Sequence, residues 1–245
     1  MGDPLEIYVL NQRVRLLQSP DGFRTSLDSV MLAAACPAGE GDHILDMGCG
    51  VGGAGLSVLR RVAGARLTGV ELQAGHAELA RRNAALNDMQ DRADFIAADI
   101  RGYAASSGVS FDHVICNPPY MEAGTHTVSP SHEKALAHGH HDPDLSVAEW
   151  LDAGFRLLRS GGSLTMIHRA DRTDKIILGL KNRFGAVEII PLWPRAGQAA
   201  KRVIIRARKD RKTPAIVHAG VVLHEADGRY TAAADGILRD MQPIV

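Results

Sequence analysis

The 245-residue chain has little of several features that point to particular classes of protein. It contains three cysteines, Cys36, Cys49 and Cys116, without CxxC spacing, which argues against a disulfide framework and against a zinc site. No apolar run approaches the length of a membrane span, and the first residues lack a basic, apolar secretory leader. We therefore expect a cytoplasmic protein with reduced thiols, no membrane association and no bound metal.

An excess of charge of one sign is also missing, because 28 Lys and Arg residues balance 28 Asp and Glu residues. A polyanionic partner would have to be held by local clusters of basic residues rather than by net charge. Aromatic residues make up only 4% of the chain, whereas 45% of it is hydrophobic. This composition is typical of a globular protein rather than a disordered or fibrous one.

Strand and helix patterns divide the chain into a core with decorated ends. Residues 6–18 form two short extended runs around Asn11 and Gln12, which predicts a hairpin. Ser26 is a suitable N-cap for the short apolar helix that follows. We predict a single domain over 1–245, made of an N-terminal hairpin and helix (1–40), a core (41–209) and a C-terminal extension (210–245).

From residue 43 onward, apolar strand patterns alternate with helical ones. Such alternation predicts an α/β fold, in which a mostly parallel sheet carries helices on both faces. The helix over SVAEWLDAGFRLLRSGG is expected to end at its two glycines. The late strand KRVIIRARK is expected to return antiparallel at or near the sheet edge. The tail predicts a small strand pair around Asp227 and Gly228, followed by a terminal helix.

The first strand of the core, HILDMG, runs into a glycine-rich loop. Gly48, Gly50 and Gly53 satisfy the G-x-G-x-x-G pattern, and Glu71 closes the next strand, where an acidic residue can bind a ribose diol. Glycines let the backbone approach a ligand closely, and a helix start offers free N–H groups. The loop alone is compatible with a dinucleotide site or with a tight strand–helix turn.

Two carboxylates near this loop argue against a dinucleotide and for a ligand with an ammonium group and an adenine. Asp46 precedes the glycines, where it would repel a pyrophosphate but suit an ammonium group, and Asp99 ends the third strand, where it can accept a hydrogen bond from an adenine amine. Open α/β sheets bind ligands at these strand ends. The pattern resembles the motifs of class I methyltransferases. This resemblance implies a Rossmann-like fold with a seven-stranded sheet, and S-adenosyl-L-methionine as a cofactor held by Asp46, Gly48, Gly50, Glu71 and Asp99.

The fourth strand, FDHVIC, ends in Asn117-Pro118-Pro119-Tyr120. Consecutive prolines stiffen the loop, which stability alone does not explain. An exocyclic amine is a poor nucleophile because its lone pair is delocalised into the ring. It becomes a better nucleophile when the Asn117 side-chain oxygen and the Pro118 carbonyl accept its two hydrogens. Tyr120 can stack on a flat acceptor. The combination resembles the amino-methyltransferases of adenine, cytosine and glutamine, with Asn117, Pro118, Pro119 and Tyr120 as catalytic residues.

Further segments extend the resemblance over nearly the whole chain. SPDGFRTSLDSVMLAA, AAKRVIIRARK and GRYTAAADGIL are similar to parts of the bacterial tRNA(Val) (adenine-N6)-methyltransferase family. The similarity implies methyl transfer to the exocyclic amine of adenine in RNA, with tRNA as the partner. It also places Ser26 and Asp28 beside the cofactor, although capping of the following helix accounts for the same two residues, and Leu27 departs from the hydroxyl residue of some relatives.

Residues 201–212, KRVIIRARKDRK, contain seven basic residues and one acidic residue. Clustered cations suit phosphate contacts with RNA, and a solvated edge strand protected by charge is an equally good interpretation. The apolar residues Val203 and Ile205 favour burial of one face of this strand. Arg202, Arg206 and Arg208 are therefore the expected RNA contacts.

Other interpretations are disfavoured or kept open. Histidines crowd the segment 126–141, but no carboxylate or thiolate joins them at ligand spacing, so a substrate-facing loop is preferred to a metal site. Cys116 lies inside a strand, which disfavours a nucleophilic role. Two alternative functions remain, a protein-glutamine N-methyltransferase and a non-catalytic nucleic-acid-binding module.

Overall fold

The structure is a computed structural model that describes residues 3–19, 25, 27–119 and 145–244. The elements of the first half are β1 (Leu5–Val9), β2 (Val14–Gln18), α1 (Leu27–Ala35), β3 (His43–Met47), α2 (Gly53–Arg61), β4 (Arg66–Glu71), α3 (Ala74–Leu86), β5 (Ala93–Ala97), α4 (Ile100–Ser106) and β6 (Phe111–Cys116). Those of the second half are α5 (Val147–Leu157), β7 (Leu158–Arg169), α6 (Thr173–Leu180), β8 (Phe184–Trp193), β9 (Arg202–Lys209), β10 (Ile216–Val217), β11 (Val221–Val222) and α7 (Ala232–Asp240).

The main sheet of the described residues has nine strands in the order β10-β8-β9-β7-β6-β3-β4-β5, with β11 also paired to β8. Strands β5, β4, β3, β6 and β7 pair in parallel, and β9 lies antiparallel between β7 and β8. The predicted mostly parallel sheet with one late antiparallel strand is confirmed. The two-residue strands β10 and β11, both parallel to β8, raise the predicted number of strands from seven to nine.

Helices cover both faces of the sheet, as predicted. On one face, α1, α2, α3, α7 and the hairpin enclose an apolar cluster that includes Leu56, Leu67 and Ile204. On the other face, α4, α5 and α6 enclose a second cluster, which includes Met47 and Leu164. The central strands are apolar on both faces because both faces are covered. No helix within the described ranges has the length and apolar character needed to cross a membrane.

The predicted N-terminal hairpin is confirmed, and it packs outside the main sheet. Its strands β1 and β2 pair antiparallel around a turn in which residues 10–12 all have positive φ. Asn83 of α3 and Asn87, the residue that follows this helix, bond the backbone of β2 where a third strand would otherwise pair. The Asn83 side chain bonds both the N–H and the carbonyl of Leu17, at 2.7 and 3.0 Å, and Asn87 does the same for Arg15, at 2.9 and 2.7 Å.

Helix α5 ends at Leu157, before the glycines that were expected to close it. Strand β7 already pairs with β6 at Leu158, and the register between the two strands then shifts. Gly161 and Gly162 lie in this irregular stretch. Gly161 has a φ of +78°, and a Cβ on Gly162 would lie 2.8 Å from a carbonyl oxygen. The two glycines therefore shape a β-bulge rather than a helix end.

Strand β9 is not a solvated edge, because it pairs with a strand on each side. Val203, Ile204 and Ile205 are all at most 2% exposed, so both faces of the strand are buried. The expectation that only the face of Val203 and Ile205 is covered, leaving the face of Arg202 and Arg206 exposed, is wrong, since Ile204 lies between these arginines.

Two of the three arginines of β9, Arg202 and Arg206, bond carboxylates of the protein. Arg206, whose side chain is 11% exposed, binds both carboxylate oxygens of Glu188, at 2.9 and 2.6 Å. Arg202 donates to Asp28 at 3.0 Å, and Arg208 is exposed. The Arg206 guanidinium thus neutralises a partly buried carboxylate, and its contact with RNA, like that of Arg202 and Arg208, stays a prediction.

The tail follows the predicted order. A single antiparallel bridge joins His224 to Tyr230 around Asp227 and Gly228, and α7 follows it. The Thr231 side chain accepts a hydrogen bond from the Ala234 N–H at the start of this helix, at 3.1 Å, which is the usual way to cap a helix.

Candidate active site

The carboxyl ends of β3, β4, β5 and β6 meet at one edge of the sheet, as parallel pairing requires. A cavity of about 310 Å³ lies at this edge. The predicted residues that line it are Asp46, Gly48, Gly50, Glu71, Asp99, Asn117, Pro118 and Pro119. The structure thus brings together all the predicted site residues that it describes except Asp28.

Three glycines of the glycine loop, Gly48, Gly50 and Gly52, have left-handed backbone. The N–H groups of Gly48 and Cys49 both bond the Val70 carbonyl, at 2.8 and 3.2 Å, which ties the loop to the end of β4. Gly48 has a φ of +68°, and a Cβ there would lie 2.7 Å from the Trp150 ring. Gly50 has a φ of +55°, but a Cβ there would meet nothing within 4 Å. Gly50 therefore leaves open space beside the cavity.

Glu71 holds the loop from the next strand. Its carboxylate accepts the Gly50 N–H and the Gln73 N–H, each at 2.9 Å and each on a different oxygen. The residue is 8% exposed. Each oxygen of an ionised carboxylate has room for a second donor, so Glu71 can fix the loop and bind a hydroxyl group at the same time.

Asp46 is a buried carboxylate with little to balance its charge. It is 2% exposed and accepts the Gly55 N–H at 2.9 Å. Burial raises the pKa of Asp46 to about 7, against the Gly55 N–H and with a smaller contribution from Glu71. The ion pairs among the described residues do not include Asp46. A cationic group of a ligand would stabilise its charged form.

Asp99 caps helix α4, and its carboxylate also forms an ion pair with Arg101. Its side chain accepts the Arg101 N–H at 2.7 Å and the Arg101 guanidinium at 2.7 Å. The hydrogen bond from the Arg101 side chain outweighs burial and lowers the pKa of Asp99. Asp99 therefore stays ionised, and a ligand amine would share an oxygen that Arg101 already bonds.

The end of β6 brings the proline loop to the cavity. Cys116 pairs with Met47, so Asn117 follows one residue beyond, level with the glycine loop. Asn117 is half-buried and Pro118 buried, and within the described ranges the Asn117 side chain has no hydrogen-bond partner. The Asn117 side-chain amide is therefore available to bond a substrate. Cys116 is fully buried, and burial raises the pKa of its thiol, which agrees with its dismissal as a nucleophile.

Other predicted residues lie away from the cavity or outside the described part of the chain. Asp28, in α1, bonds Arg202 at 3.0 Å and is not among the residues lining the cavity. Ser26, Tyr120 and the histidines of 126–141 lie outside the described residues. No group of His, Cys, Asp and Glu in the described part of the chain could hold a metal ion.

Several lining residues were missed from the sequence. They include Thr25, Ser29, Leu72, Gln73, His76, Leu145 and Trp150. Gln73 and His76 come two and five residues after Glu71, so the rule that ligands bind beyond the carboxyl ends of strands would have found them. Trp150 has no such signal, because packing of α5 brings it over Gly48.

Comparison with known proteins identifies the family of the chain. Residues 24–192 match the family model of the methyltransferase small domain. The fold and the cavity define a class I methyltransferase that uses S-adenosyl-L-methionine. More particularly, the chain belongs to the methyltransferase small-domain family.

Curated relatives are similar over most of the chain. A tRNA1(Val) (adenine(37)-N6)-methyltransferase of Aeromonas hydrophila subsp. hydrophila is 30% identical over 85% of this chain and 86% of its own length. A protein of the same name from Shewanella baltica (strain OS195) is 29% identical over 89% of this chain and 92% of its own.

Solved structures share the fold. A crystal structure from Agrobacterium tumefaciens, described as a predicted O-methyltransferase, has a TM-score of 0.72 and 27% identity, over 89% of this chain and 98% of that one. A geranyl diphosphate C-methyltransferase of Streptomyces coelicolor A3(2), solved with S-adenosyl-L-homocysteine, has a TM-score of 0.54 and 15% identity, over 74% and 79%.

Proposed function

We propose that the chain transfers the methyl group of S-adenosyl-L-methionine to the exocyclic N6 amine of an adenine in tRNA. The observation that carries this proposal is the position of Asn117 and Pro118 on the wall of the cavity that Asp46 and Glu71 also line. The names of the curated relatives, which specify adenine 37 of tRNA1(Val), support the choice of acceptor. A tRNA acceptor also implies a cytoplasmic enzyme.

The carboxylates around the cavity, which accept hydrogen bonds, fit this cofactor. Asp46 has a buried charge that a ligand ammonium would balance, Glu71 has oxygen positions left for ribose hydroxyls, and Asp99 can accept the adenine amine. Gly50 leaves the space that a side chain would otherwise fill. A dinucleotide fits less well, because the pyrophosphate would lie close to the buried carboxylate of Asp46.

The catalytic work of the chain is placement of the amine. When bound, the cofactor supplies a methyl group that is already activated by a positively charged sulfur. The Asn117 side-chain oxygen and the Pro118 carbonyl accept the two hydrogens of the amine, which localises the lone pair on the nitrogen. Pro118 and Pro119 restrict the loop before the acceptor arrives, so these acceptors need little reorganisation. Tyr120 completes the predicted catalytic set as a stacking surface.

The direct test is transfer of a labelled methyl group to an unmodified transcript of tRNA1(Val), followed by nucleoside analysis. We expect the label in N6-methyladenosine, and we expect a transcript with guanine at position 37 to accept none. The proline loop would also suit a glutamine amide, so total protein is offered in parallel. Label in protein, or on a hydroxyl group of the RNA, would contradict the proposal.

A further inference from the structure

A second cavity, the hairpin groove, lies between the N-terminal hairpin and the C-terminal segment. It is lined by residues 7–12 of the hairpin, by Thr25, and by Tyr230 and Arg239, among others, and measures about 390 Å³. Pockets for small ligands are on the order of 300–1,000 Å³. Thr25 also lines the cofactor cavity, and a Cβ on Gly53 of the glycine loop would lie 2.7 Å from its side chain. The hairpin groove is therefore the immediate neighbour of the methyl-transfer site.

Tyrosines are concentrated in this groove. The chain has only four, and Tyr8 and Tyr230 both line the groove although they are 54% and 41% exposed. The Tyr230 ring stacks on His224, with ring centroids 4.8 Å apart and planes at 23°. Exposed aromatic faces are the surfaces on which single-stranded bases stack.

The polar groups of the groove suit base edges better than phosphates. Asn11 and Gln12 are exposed at the hairpin turn, and their amides can both donate and accept hydrogen bonds. Arg239 bonds Asp235 at 2.6 Å, so its charge is balanced within the protein. A groove with aromatic rings, amides and little net charge recognises a neutral flat group.

We propose that the hairpin groove binds a single-stranded nucleotide next to the target adenine, with its base packed against Tyr8 and Tyr230. This inference rests on the proposed function. Thr25 and Asn117 line the same cavity, and Thr25 also lines the hairpin groove, so the nucleotide next to an adenine placed at Asn117 can reach the groove. The groove thus selects for an unpaired sequence around the target, since bases in a duplex cannot stack on protein rings.

Alanine and phenylalanine variants test the groove. For Tyr8→Ala and for Tyr230→Ala, we expect the KM for the tRNA1(Val) transcript to rise roughly tenfold, whereas Tyr8→Phe and Tyr230→Phe stay near wild type because the rings remain. Cofactor affinity and melting temperature should not change. Leu178→Ala is the matched control, since Leu178 is 76% exposed and does not line the groove. The salt dependence of KM should also be unchanged, because no phosphate contact is lost.

The outcomes separate the groove from the proposed function. Methylation of the transcript with an unchanged KM in both alanine variants would overturn the groove and leave the function intact. If the wild type methylates no RNA, the proposed function fails, and fluorescence anisotropy of the transcript decides the groove: tyrosine-dependent binding supports it and tyrosine-independent binding overturns it. If the alanine variants unfold, photocrosslinking of a 4-thiouridine transcript to wild-type protein decides. Crosslinks within 7–12 or 224–239 support the groove, and crosslinks confined to other segments overturn it.

Discussion

Asp42 immediately precedes strand β3, and Asp46 lies near the other end of that strand. The pKa values of the two carboxyl groups are shifted in opposite directions. Asp42 accepts the Gly39 N–H at 2.8 Å and contacts the His113 ring at 2.9 Å. Burial works to raise the pKa of Asp42, but these partners outweigh it and hold that pKa below its usual value. At the other end of the strand, burial raises the pKa of Asp46 to about 7.

The two edges of the sheet also differ in how fully their polar groups are hydrogen-bonded within the protein. At the amino edge, His113 bonds Ser163 at 2.7 Å as well as Asp42, so the polar groups satisfy one another. At the carboxyl edge, Asp46 and Asn117 line a cavity with unused hydrogen-bonding capacity. One edge therefore contributes to stability, and the other keeps polar groups for a ligand at some cost in stability.

The largest expected effect is at the carboxyl edge. Asn117→Ala should lower kcat by roughly 10²–10³-fold, the usual scale for loss of one positioned polar group, because the amine loses an acceptor for its hydrogen. Cofactor affinity should stay nearly constant. Single-turnover kinetics and calorimetry measure the two quantities. A rate close to that of the wild type would show that the amine is activated in another way.

Glu71→Ala should weaken cofactor binding by roughly 1.5–3 kcal/mol, the scale for charge-assisted hydrogen bonds. The loss has two sources, because the loop N–H of Gly50 also loses its acceptor. Glu71→Gln keeps an acceptor and should lose less. An unchanged affinity in calorimetry would remove Glu71 from the site, and tighter binding of NAD than of S-adenosyl-L-methionine would overturn the cofactor assignment.

Asp46 should make cofactor affinity depend on pH. A ligand ammonium binds the ionised carboxylate, whose pKa in the free protein is about 7, so affinity should rise as pH increases through 7, and binding at pH 6 should release about one proton. Calorimetry in buffers of different ionisation enthalpy counts this proton. Asp46→Asn should abolish the release, and release that persists in this variant would assign it to another group.

The same pKa fixes a stability trend. The folded pKa of Asp46 lies above its unfolded value of about 3.9, so the unliganded protein binds more protons when folded. It should therefore lose stability as pH rises from about 4 to about 7. Denaturant titrations at several pH values measure the free energy of unfolding, which should fall over this range in the wild type but not in Asp46→Asn. The same pH dependence in both proteins would contradict the assignment to Asp46.

The smallest effect is expected at the amino edge. Ser163→Ala removes a partner of the buried His113 ring and should lower the free energy of unfolding by about 1–2 kcal/mol, with cofactor affinity unchanged. Burial lowers the pKa of His113, although Asp42 opposes this, so its contribution to stability is present above the unfolded pKa and is lost as pH falls below it. A cofactor affinity that changed with Ser163→Ala would show that the two edges are coupled.

The carboxyl edge could be predicted from the sequence because each of its groups lies at the end of a strand or within two residues beyond it. Asp46, Glu71, Asp99 and Asn117 are each contiguous with an apolar run, so the strand pattern also places the side chain. Arg206 could not be placed in this way. Its burial depends on Glu188 of a neighbouring strand and on the insertion of β9 between β7 and β8, which no local pattern encodes.

The ends of elements were harder still. Helix α6 (Thr173–Leu180) was not predicted, because eight residues give too short a periodic signal. The glycines at 161 and 162 were predicted to end a helix, but glycine also occurs in β-bulges, and the pairing of Leu158 with β6 gives them that role. Trp150 reaches the cavity only through the packing of α5.

The position of β9 has a consequence for how the polypeptide folds as it is synthesised. Strand β8 emerges before β9 but is separated from β7 by it in the sheet. Until residues 202–209 have left the ribosome, β7 and β8 each present an unpaired edge, which is the kind of surface that aggregates. The last strand of the core therefore closes two edges at once, and a chain that stopped short of it would be prone to join other chains through both.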